Sequence, residues 1–185
     1  MQKSVLLPRE RTGILLIDVQ EKLYPHLDRA AEVVATMQKA LKGFQILRLP
    51  IVVTEQYPEG LGPTVPVLRQ CLGDQQQYWS KTSFSCLGEA ALREYLLALP
   101  IDHWIVLGAE AHVCVLQTVK ELKAAHKEVV ILNDAITSRS VYNFSTAIAE
   151  MRDVGVRISS TEAVLCELVK DSRSPEFKRI SLLIK

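Results

Sequence analysis

Short apolar runs alternate with amphipathic helical segments along most of this 185-residue chain, and this alternation restricts the folds open to it. Each run has the length and composition of a buried strand, and the segment after it repeats apolar residues at helical spacing. Strands that are apolar on both faces indicate a parallel sheet covered by helices on each side. The predicted strands are GILLID (13–18), PIVVTE (50–55), QQYWSK (76–81), HWIVLG (103–108), EVVILND (128–134) and GVRISS (155–160).

This pattern predicts an α/β protein of three layers, αβα, around a central, mostly parallel six-stranded sheet. The length suits one sizeable core, and no repeat or flexible linker divides the chain, so residues 1–185 are predicted to form a single domain. The predicted helices lie at 27–41, at 87–97, from Cys114 onward, at 141–152 and from Thr161 to the end.

The charge balance argues against two classes of binding partner. Lys and Arg total 22 against 21 Asp and Glu, a net charge of +1, so no nucleic acid and no anionic membrane is expected as a partner. No apolar run approaches a membrane span, and the first residues do not resemble a signal peptide. We expect a cytoplasmic protein, with an organelle matrix as the alternative. The four cysteines form no C-x-x-C pair and are expected to be free thiols.

Cys114 stands where the strand ending at Gly108 gives way to a helix. Its predicted place in the first helical turn would put it near free backbone N–H groups and the positive end of the helix dipole. Such a position lowers the pKa of a thiol and makes the reactive thiolate available. The alternative is that Cys114 only packs in the core, as many free cysteines do.

Asp18, Lys81 and Cys114 each follow a predicted strand. The carboxyl ends of parallel strands meet at one edge of the sheet, which is where doubly wound folds bind ligands. A carboxylate can take the proton of a thiol, and a nearby cation favours the ionised forms of both. Each residue also has a structural alternative: Asp18 as a cap, Lys81 as a surface lysine, and Cys114 as core.

The chain resembles the isochorismatase-like hydrolase superfamily, which includes nicotinamidases and N-carbamoylsarcosine amidase. The resemblance rests on three motifs in the family's order, and it runs over nearly the whole chain. It extends to the fifth predicted strand and the residues after it. The matching segments are LLIDVQ around Asp18, WSKTSFS around Lys81, VLGAEAHVCVLQT around Cys114, and VVILNDAITSRS after them.

This resemblance implies a Rossmann-like fold and a set of roles. Cys114 would be the nucleophile, Asp18 the general base and acid, and Lys81 the group that orients and polarises the pair. The family's cis peptide would join Ala109 and Glu110, and the backbone amides of Glu110 and Cys114 would form the oxyanion hole. The implied activity is hydrolysis of a C–N amide bond in a small molecule through a thioester on Cys114.

The sequence departs from the metal-dependent members of that family. Nicotinamidases bind a metal through an Asp-x-His pattern after the second strand, whereas this chain has TEQYPEGLGPTVP there (54–66). No metal is therefore expected, and nicotinamide is disfavoured as a substrate. Because Cys114 is present, the family's namesake vinyl-ether reaction is disfavoured too. No cofactor is expected, since the chain has no dinucleotide or phosphate-loop fingerprint. The substrate stays open.

Six residues on the predicted loops at this edge are possible substrate contacts, although the aromatic ones could equally pack beneath the loops. With few charges nearby, they suggest a small, largely neutral substrate. They are Gln20, Tyr24, Gln56, Tyr57, Phe84 and His112.

Two other functions compete with a hydrolase. The chain could be a catalytically silent family member that acts as a binding or scaffold protein, or a thiol redox sensor, although no resolving cysteine is evident. The resemblance also implies a homo-oligomer, and the apolar segment FKRISLLIK (177–185) is a candidate contact.

Overall fold

The structure, a computed structural model, describes residues 6–185. Within that range six β-strands and eight α-helices form a three-layer αβα sandwich, which confirms the predicted fold class. The strands are β1 (Thr12–Ile17), β2 (Ile51–Gln56), β3 (Tyr78–Lys81), β4 (His103–Ala109), β5 (Glu128–Thr137) and β6 (Arg157–Ser159). The helices are α1 (Ala30–Ile46), α2 (Pro58–Leu61), α3 (Pro66–Leu72), α4 (Ala90–Ala98), α5 (Leu116–Ala124), α6 (Val141–Asp153), α7 (Thr161–Val169) and α8 (Phe177–Ile184).

The sheet is parallel throughout, with the strand order β3-β2-β1-β4-β5-β6. In its middle, Leu16 of β1 is paired with Val53 of β2 on one side and with Leu107 of β4 on the other. The chain therefore reverses its progress across the sheet between β1 and β4. In doubly wound sheets, ligands bind in the crevice beyond the carboxyl ends of the strands at such a switch point.

Two apolar cores cover the two faces of the sheet. β1 contributes to both, because Ile14 and Leu16 face one core while Leu15 and Ile17 face the other. All six residues of β1 are buried, which explains why the strand is an unbroken apolar run after Thr12. Helices α1, α3, α7 and α8 close the first core, and α4, α5 and α6 close the second.

Three predicted helices need correction at their ends. The helix predicted at 27–41 is α1, which begins only at Ala30 and continues to Ile46. The helix predicted at 87–97 begins only at Ala90, because the residues before it form a separate 3₁₀ turn, Cys86–Gly88, whose Leu87 amide donates to the Ser85 hydroxyl. The helix predicted from Thr161 to the end is divided into α7 and α8. The break begins at Lys170, which adopts a positive φ of 64° that an α-helix cannot continue through.

Cys114 also lies in a different kind of turn from the one predicted. It belongs to a π-helical turn, Ala111–Val115, and α5 starts only after that turn. The carbonyl of Glu110 accepts hydrogen bonds from the amides of both Val113 and Val115, so the turn is wider than an α-helical one. None of the helices within residues 6–185 combines the length and apolar character needed to cross a membrane.

Candidate active site

Asp18 is the first residue after β1, where the backbone turns with a φ of 52°. Asp is one of the few residues that visit this left-handed region readily. Its carboxylate is fully buried, and each oxygen accepts a short hydrogen bond. Thr54 Oγ1 donates to Oδ1 at 2.7 Å, and Lys81 Nζ donates to Oδ2 at 2.6 Å. The carboxylate is therefore held from two sides.

Lys81 is the last residue of β3, and its side chain has no solvent exposure. Its ammonium contacts four oxygen atoms: Asp18 Oδ2 and Gln56 Oε1, each at 2.6 Å, and the carbonyls of Ser83 at 3.2 Å and Phe84 at 3.0 Å. Burial is the largest single influence and acts to lower the pKa of Lys81. The charge of Asp18, the two nearby cysteines and the hydrogen bond to Asp18 together outweigh it, and the pKa is raised. Lys81 is therefore a permanent positive charge inside the protein.

The thiol of Cys114 is buried, with 6% of the residue exposed, and it lies close enough to Asp18 for that carboxylate to act on its pKa. Burial raises the pKa of this thiol, the carboxylate of Asp18 raises it further, and Lys81 only partly opposes them. The prediction that a helix start would lower the pKa of Cys114 is therefore wrong, because desolvation and the neighbouring negative charge dominate. The raised pKa favours a thiol that keeps its proton, with the Asp18 carboxylate beside it as a possible acceptor.

The chain from the end of β4 to the π-helical turn is tightly constrained. Gly108 has a φ of 131°, and a Cβ at this position would lie 2.1 Å from the carbonyl oxygen of Ile17. The peptide bond between Ala109 and Glu110 is cis. The Glu110 carboxylate accepts hydrogen bonds from the Arg139 amide at 3.1 Å and from its Nε at 2.9 Å. The start of this turn is thus tied to β1 on one side and to the chain after β5 on the other.

Gln20 and Gln56 use their side-chain amides within the protein. The Gln20 side chain is fully buried. It donates to the main-chain carbonyls of Gln56 and Gly62 at 2.9 and 2.7 Å, and it accepts from the main-chain amide of Gln56 at 2.8 Å. Gln56 accepts from Lys81 and donates to the Thr82 carbonyl at 2.7 Å. Both were predicted as possible substrate contacts. The structure instead places Gln20 as a brace between loops and Gln56 as a support for Lys81.

The three aromatic candidates differ in their exposure. Tyr24 is half-buried and packs against the first core, which is the alternative that the sequence left open. Tyr57 and Phe84 are 54% and 53% exposed. Both adjoin Lys81 through their main chains, since the Tyr57 amide donates to the Lys81 carbonyl and the Phe84 carbonyl accepts from Lys81 Nζ. Their rings remain available at the surface.

His112 lies in the π-helical turn, two residues before Cys114, and is half-buried. Its Nε2 is 3.2 Å from Asn143 Nδ2, and its Nδ1 is 3.0 Å from the Ser138 hydroxyl. Both ring nitrogens of His112 are therefore within hydrogen-bond distance of residues that follow β5. His112 therefore links the turn to the start of α6.

Sequence patterns missed two groups that shape this site. Thr54 looked like an ordinary β-strand residue, yet its hydroxyl holds Asp18. Glu89 accepts hydrogen bonds from the amides of Thr82 at 2.9 Å and Ser83 at 3.0 Å, in the loop that supplies carbonyls to Lys81. These bonds, led by the one from Ser83, lower the pKa of Glu89 to about 2. The segment TSFS was the only sequence signal for the Glu89 contacts, because Ser and Thr residues in a loop often form local hydrogen bonds.

Two cavities lie near the ends of the strands. One of about 390 Å³ opens at the amino edge of the sheet, lined by Leu7, His126 and Gly155 among others, far from the three candidate residues. A smaller hollow of about 170 Å³ includes Lys81, Tyr57 and Glu89 in its lining. We assign the chemistry to the carboxyl edge, because the polar groups converge there. Within residues 6–185, no group of three or more His, Cys, Asp or Glu side chains is arranged to hold a metal ion.

The strand order and the acid, lysine and cysteine at the switch point define a doubly wound α/β protein with a candidate cysteine-nucleophile site. The chain belongs to the isochorismatase domain family, whose pattern it matches over residues 12–163. It is 37% identical to isochorismatase domain-containing protein 2 of Danio rerio over 171 residues. The aligned residues cover 92% of this chain and 85% of that protein. The rat protein of the same name is 37% identical over 178 residues, which cover 95% of this chain and 82% of the relative.

Solved structures show the same fold. The MAR1 ribonuclease of Caenorhabditis elegans has a TM-score of 0.91 and 33% identity, covering 97% of this chain and 92% of that one. The YcaC protein of Escherichia coli, described as an octameric hydrolase of unknown specificity, has a TM-score of 0.91 at 20% identity, covering 100% of this chain and 91% of that one. The second similarity bears on the fold alone.

Proposed function

We propose that this chain is a cysteine hydrolase that cleaves a C–N bond of a small, largely neutral amide. Membership in the isochorismatase family supports a hydrolase role. The observation that carries the finer proposal is the buried ion pair of Asp18 and Lys81 with the Cys114 thiol beside it, near enough for Asp18 to raise the pKa of the thiol. A nucleophile, a base in hydrogen-bond reach and a group that orients the base are the parts that covalent catalysis requires.

In the first step, Asp18 takes the proton of Cys114 and the thiolate attacks the carbonyl carbon of the amide. The carbonyl oxygen becomes an oxyanion, and the amides of Glu110 and Cys114 donate to it. Each such donor contributes about 3 kcal/mol in comparable sites. The C–N bond then breaks, Asp18 returns the proton to the leaving amine, and the acyl group remains on Cys114 as a thioester.

In the second step, Asp18 takes a proton from a water molecule, whose oxygen attacks the thioester. The C–S bond breaks, the carboxylic acid leaves, and the proton returns to the sulfur. Lys81 keeps its positive charge throughout, because its four acceptors and the raised pKa hold the proton on it. That charge stabilises the negative charge as it moves between the sulfur and Asp18.

The raised pKa of Cys114 fits a thiolate that forms by transfer to Asp18 rather than by loss of a proton to solvent. A neutral alkylating reagent such as iodoacetamide detects this transfer. We expect the rate of Cys114 labelling to persist at neutral pH and to decline on the acid side of its pH profile, which we call the acid limb. Asp18→Asn should abolish that limb. Exposed Cys166 serves as the internal control, because it lies outside the site.

The decisive experiment follows amine release from a panel of small amides, with rapid acid quench and intact-mass detection of an acyl adduct. We expect an adduct on Cys114 in the wild type, and no adduct or release in Cys114→Ala. Amine release that survives in Cys114→Ala would exclude the mechanism. A Cys114 without an acid limb, together with no turnover on any amide, would favour the scaffold protein. Reversible loss of labelling after peroxide treatment would favour the redox sensor.

Ribonuclease activity is a second candidate, because the nematode structure with 33% identity carries that name. Cleavage of RNA needs a cation beside the phosphate, and Arg139 offers an exposed guanidinium next to Glu110. Lys81, by contrast, is enclosed and fully occupied. The same preparations should be assayed on labelled RNA. Cleavage lost in Arg139→Ala but retained in Cys114→Ala would support the second candidate against the first.

We further propose that the chain forms a homo-oligomer, as the family resemblance implies. Leu182 in the 177–185 segment is 69% exposed and is a candidate contact. Sedimentation of the wild type and Leu182→Glu tests this, with a smaller assembly expected for the variant. A cytoplasmic location and a small-molecule substrate remain predictions.

A further inference from the structure

A second thiol and a hydroxyl lie behind the Asp18 carboxylate. Thr54 Oγ1 is 2.7 Å from Asp18 Oδ1, and Cys86 Sγ is 3.9 Å from the same Thr54 oxygen. All three residues are fully buried. The Cys86 amide in turn donates to Thr118 Oγ1 at 3.0 Å, which anchors this cysteine to α5, the helix that follows Cys114.

The direction of these hydrogen bonds follows from the groups involved. Asp18, paired with the Lys81 ammonium, is a carboxylate that can only accept. Thr54 has a single hydroxyl proton, so it donates that proton to Asp18 and its oxygen is left to accept from the thiol of Cys86. Burial raises the pKa of Cys86 to about 11, so this thiol keeps its proton at neutral pH. The chain of donors thus runs in one direction, from Cys86 through Thr54 to Asp18.

We infer that Thr54 and Cys86 are positioning residues that set the orientation and basicity of Asp18 in the site proposed above. This inference rests on the proposed function, and it deepens it by assigning Cys86 a role other than that of a second nucleophile. Thr54 holds Oδ1 while Lys81 holds Oδ2, so the carboxylate cannot rotate away from Cys114.

The donor chain also has a chemical consequence with a definite sign. A hydrogen bond to an ionised oxygen is stronger than one to a neutral acid, so the Thr54 bond is strongest to a carboxylate. Removing the Thr54 hydroxyl removes that bond, and the acid limb of Cys114 labelling should move to higher pH. A hydroxyl whose role was only to fill space would leave that limb in place.

The test measures the rate of iodoacetamide labelling at Cys114 against pH, by mass spectrometry of the folded protein. Thr54→Val removes the hydroxyl at nearly constant volume, and we expect the acid limb to move up by about one pH unit. Thr54→Ser, which keeps the hydroxyl, should restore it towards the wild-type position. Thr36→Val is the matched control, because Thr36 Oγ1 bonds only the Glu32 carbonyl on α1, remote from this site.

Cys86→Ala tests the far end of the chain. It removes the donor to Thr54, so we expect a smaller shift in the same direction, and Cys86→Ser should cancel it. Cys86 itself should stay unlabelled in the folded wild type, because it is fully buried. If Thr54→Val folds, an unshifted acid limb in Cys86→Ala would show that Cys86 is not part of the donor chain. If Thr54→Val does not fold, an unshifted acid limb in Cys86→Ala would overturn the inference.

An acid limb in Thr54→Val that coincides with the wild-type limb would overturn the inference, whatever the variant does to stability. The readout needs no substrate, so it separates this inference from the proposed hydrolase. A shifted limb with no amide turnover would refute only the hydrolase. Amide turnover with an unshifted limb would refute only the donor chain.

Discussion

Lys81 Nζ lies 2.6 Å from Asp18 Oδ2, and neither side chain has any exposure to solvent. An ion pair in this setting contributes little net stability, because both charges lose their hydration. What it provides is a fixed charge and a fixed carboxylate beside Cys114. The proposed mechanism gives the pair a role other than stability, and the two effects can be separated by mutation.

Breaking the pair on one side should be costly. Asp18→Asn leaves a buried ammonium without its counter-charge, and we expect a loss of roughly 3–5 kcal/mol in the free energy of unfolding, measured in urea at pH 7. The double variant Asp18→Asn/Lys81→Met should recover most of this loss without recovering turnover. The exposed pair of Lys120 and Glu150 is the control, and Glu150→Gln should cost less than about 1 kcal/mol. Equal losses of unfolding free energy in Asp18→Asn and Glu150→Gln would contradict this prediction.

Glu89 should make the Lys81 loop sensitive to acid. Its pKa falls from an ordinary 4.5 to about 2, so it contributes stability that is fully present above pH 4.5 and is lost as the pH falls towards 2. We expect Glu89→Gln to flatten the decline of unfolding free energy between pH 4.5 and 2, and to slow Cys114 labelling at pH 7. The exposed Glu94 in α4 provides the control, and Glu94→Gln should keep the wild-type slope. A wild-type slope in Glu89→Gln would show that these bonds do not hold the loop.

Gly108 should tolerate no side chain. Gly108→Ala places a Cβ 2.1 Å from the Ile17 carbonyl in a conformation with φ 131°, so β1 and β4 must separate just before Asp18 and Ala109. We expect a loss of more than about 3 kcal/mol in unfolding free energy, the sum of backbone strain and overpacking. Gly73→Ala is matched for positive φ but has open space around it, and it should cost only roughly 1–2 kcal/mol. Similar losses in both variants would mean that the close approach of the strands is unimportant.

The fold was largely predictable because burial on both faces leaves a signature in the sequence. The strands around Leu16, Val53 and Leu107 each contain an unbroken apolar run, namely ILLI, IVV and WIVL, and a sheet covered on both sides buries such runs. The ends of elements were less predictable. The turn at Cys86–Gly88 and the division between α7 and α8 depend on single backbone angles and hydrogen bonds that apolar spacing does not record.

The sequence by itself determined the layered α/β architecture, and it placed Asp18, Lys81 and Cys114 at strand ends, which parallel pairing brings to one edge. Only the tertiary structure decided what surrounds them. The Thr54 hydroxyl on Asp18 and the four acceptors around Lys81 come from segments distant in sequence. The pKa of Cys114 is raised because packing removes water from the thiol and puts Asp18 beside it. Desolvation depends on the whole packed molecule, so it cannot be read from the residues next to Cys114 along the chain.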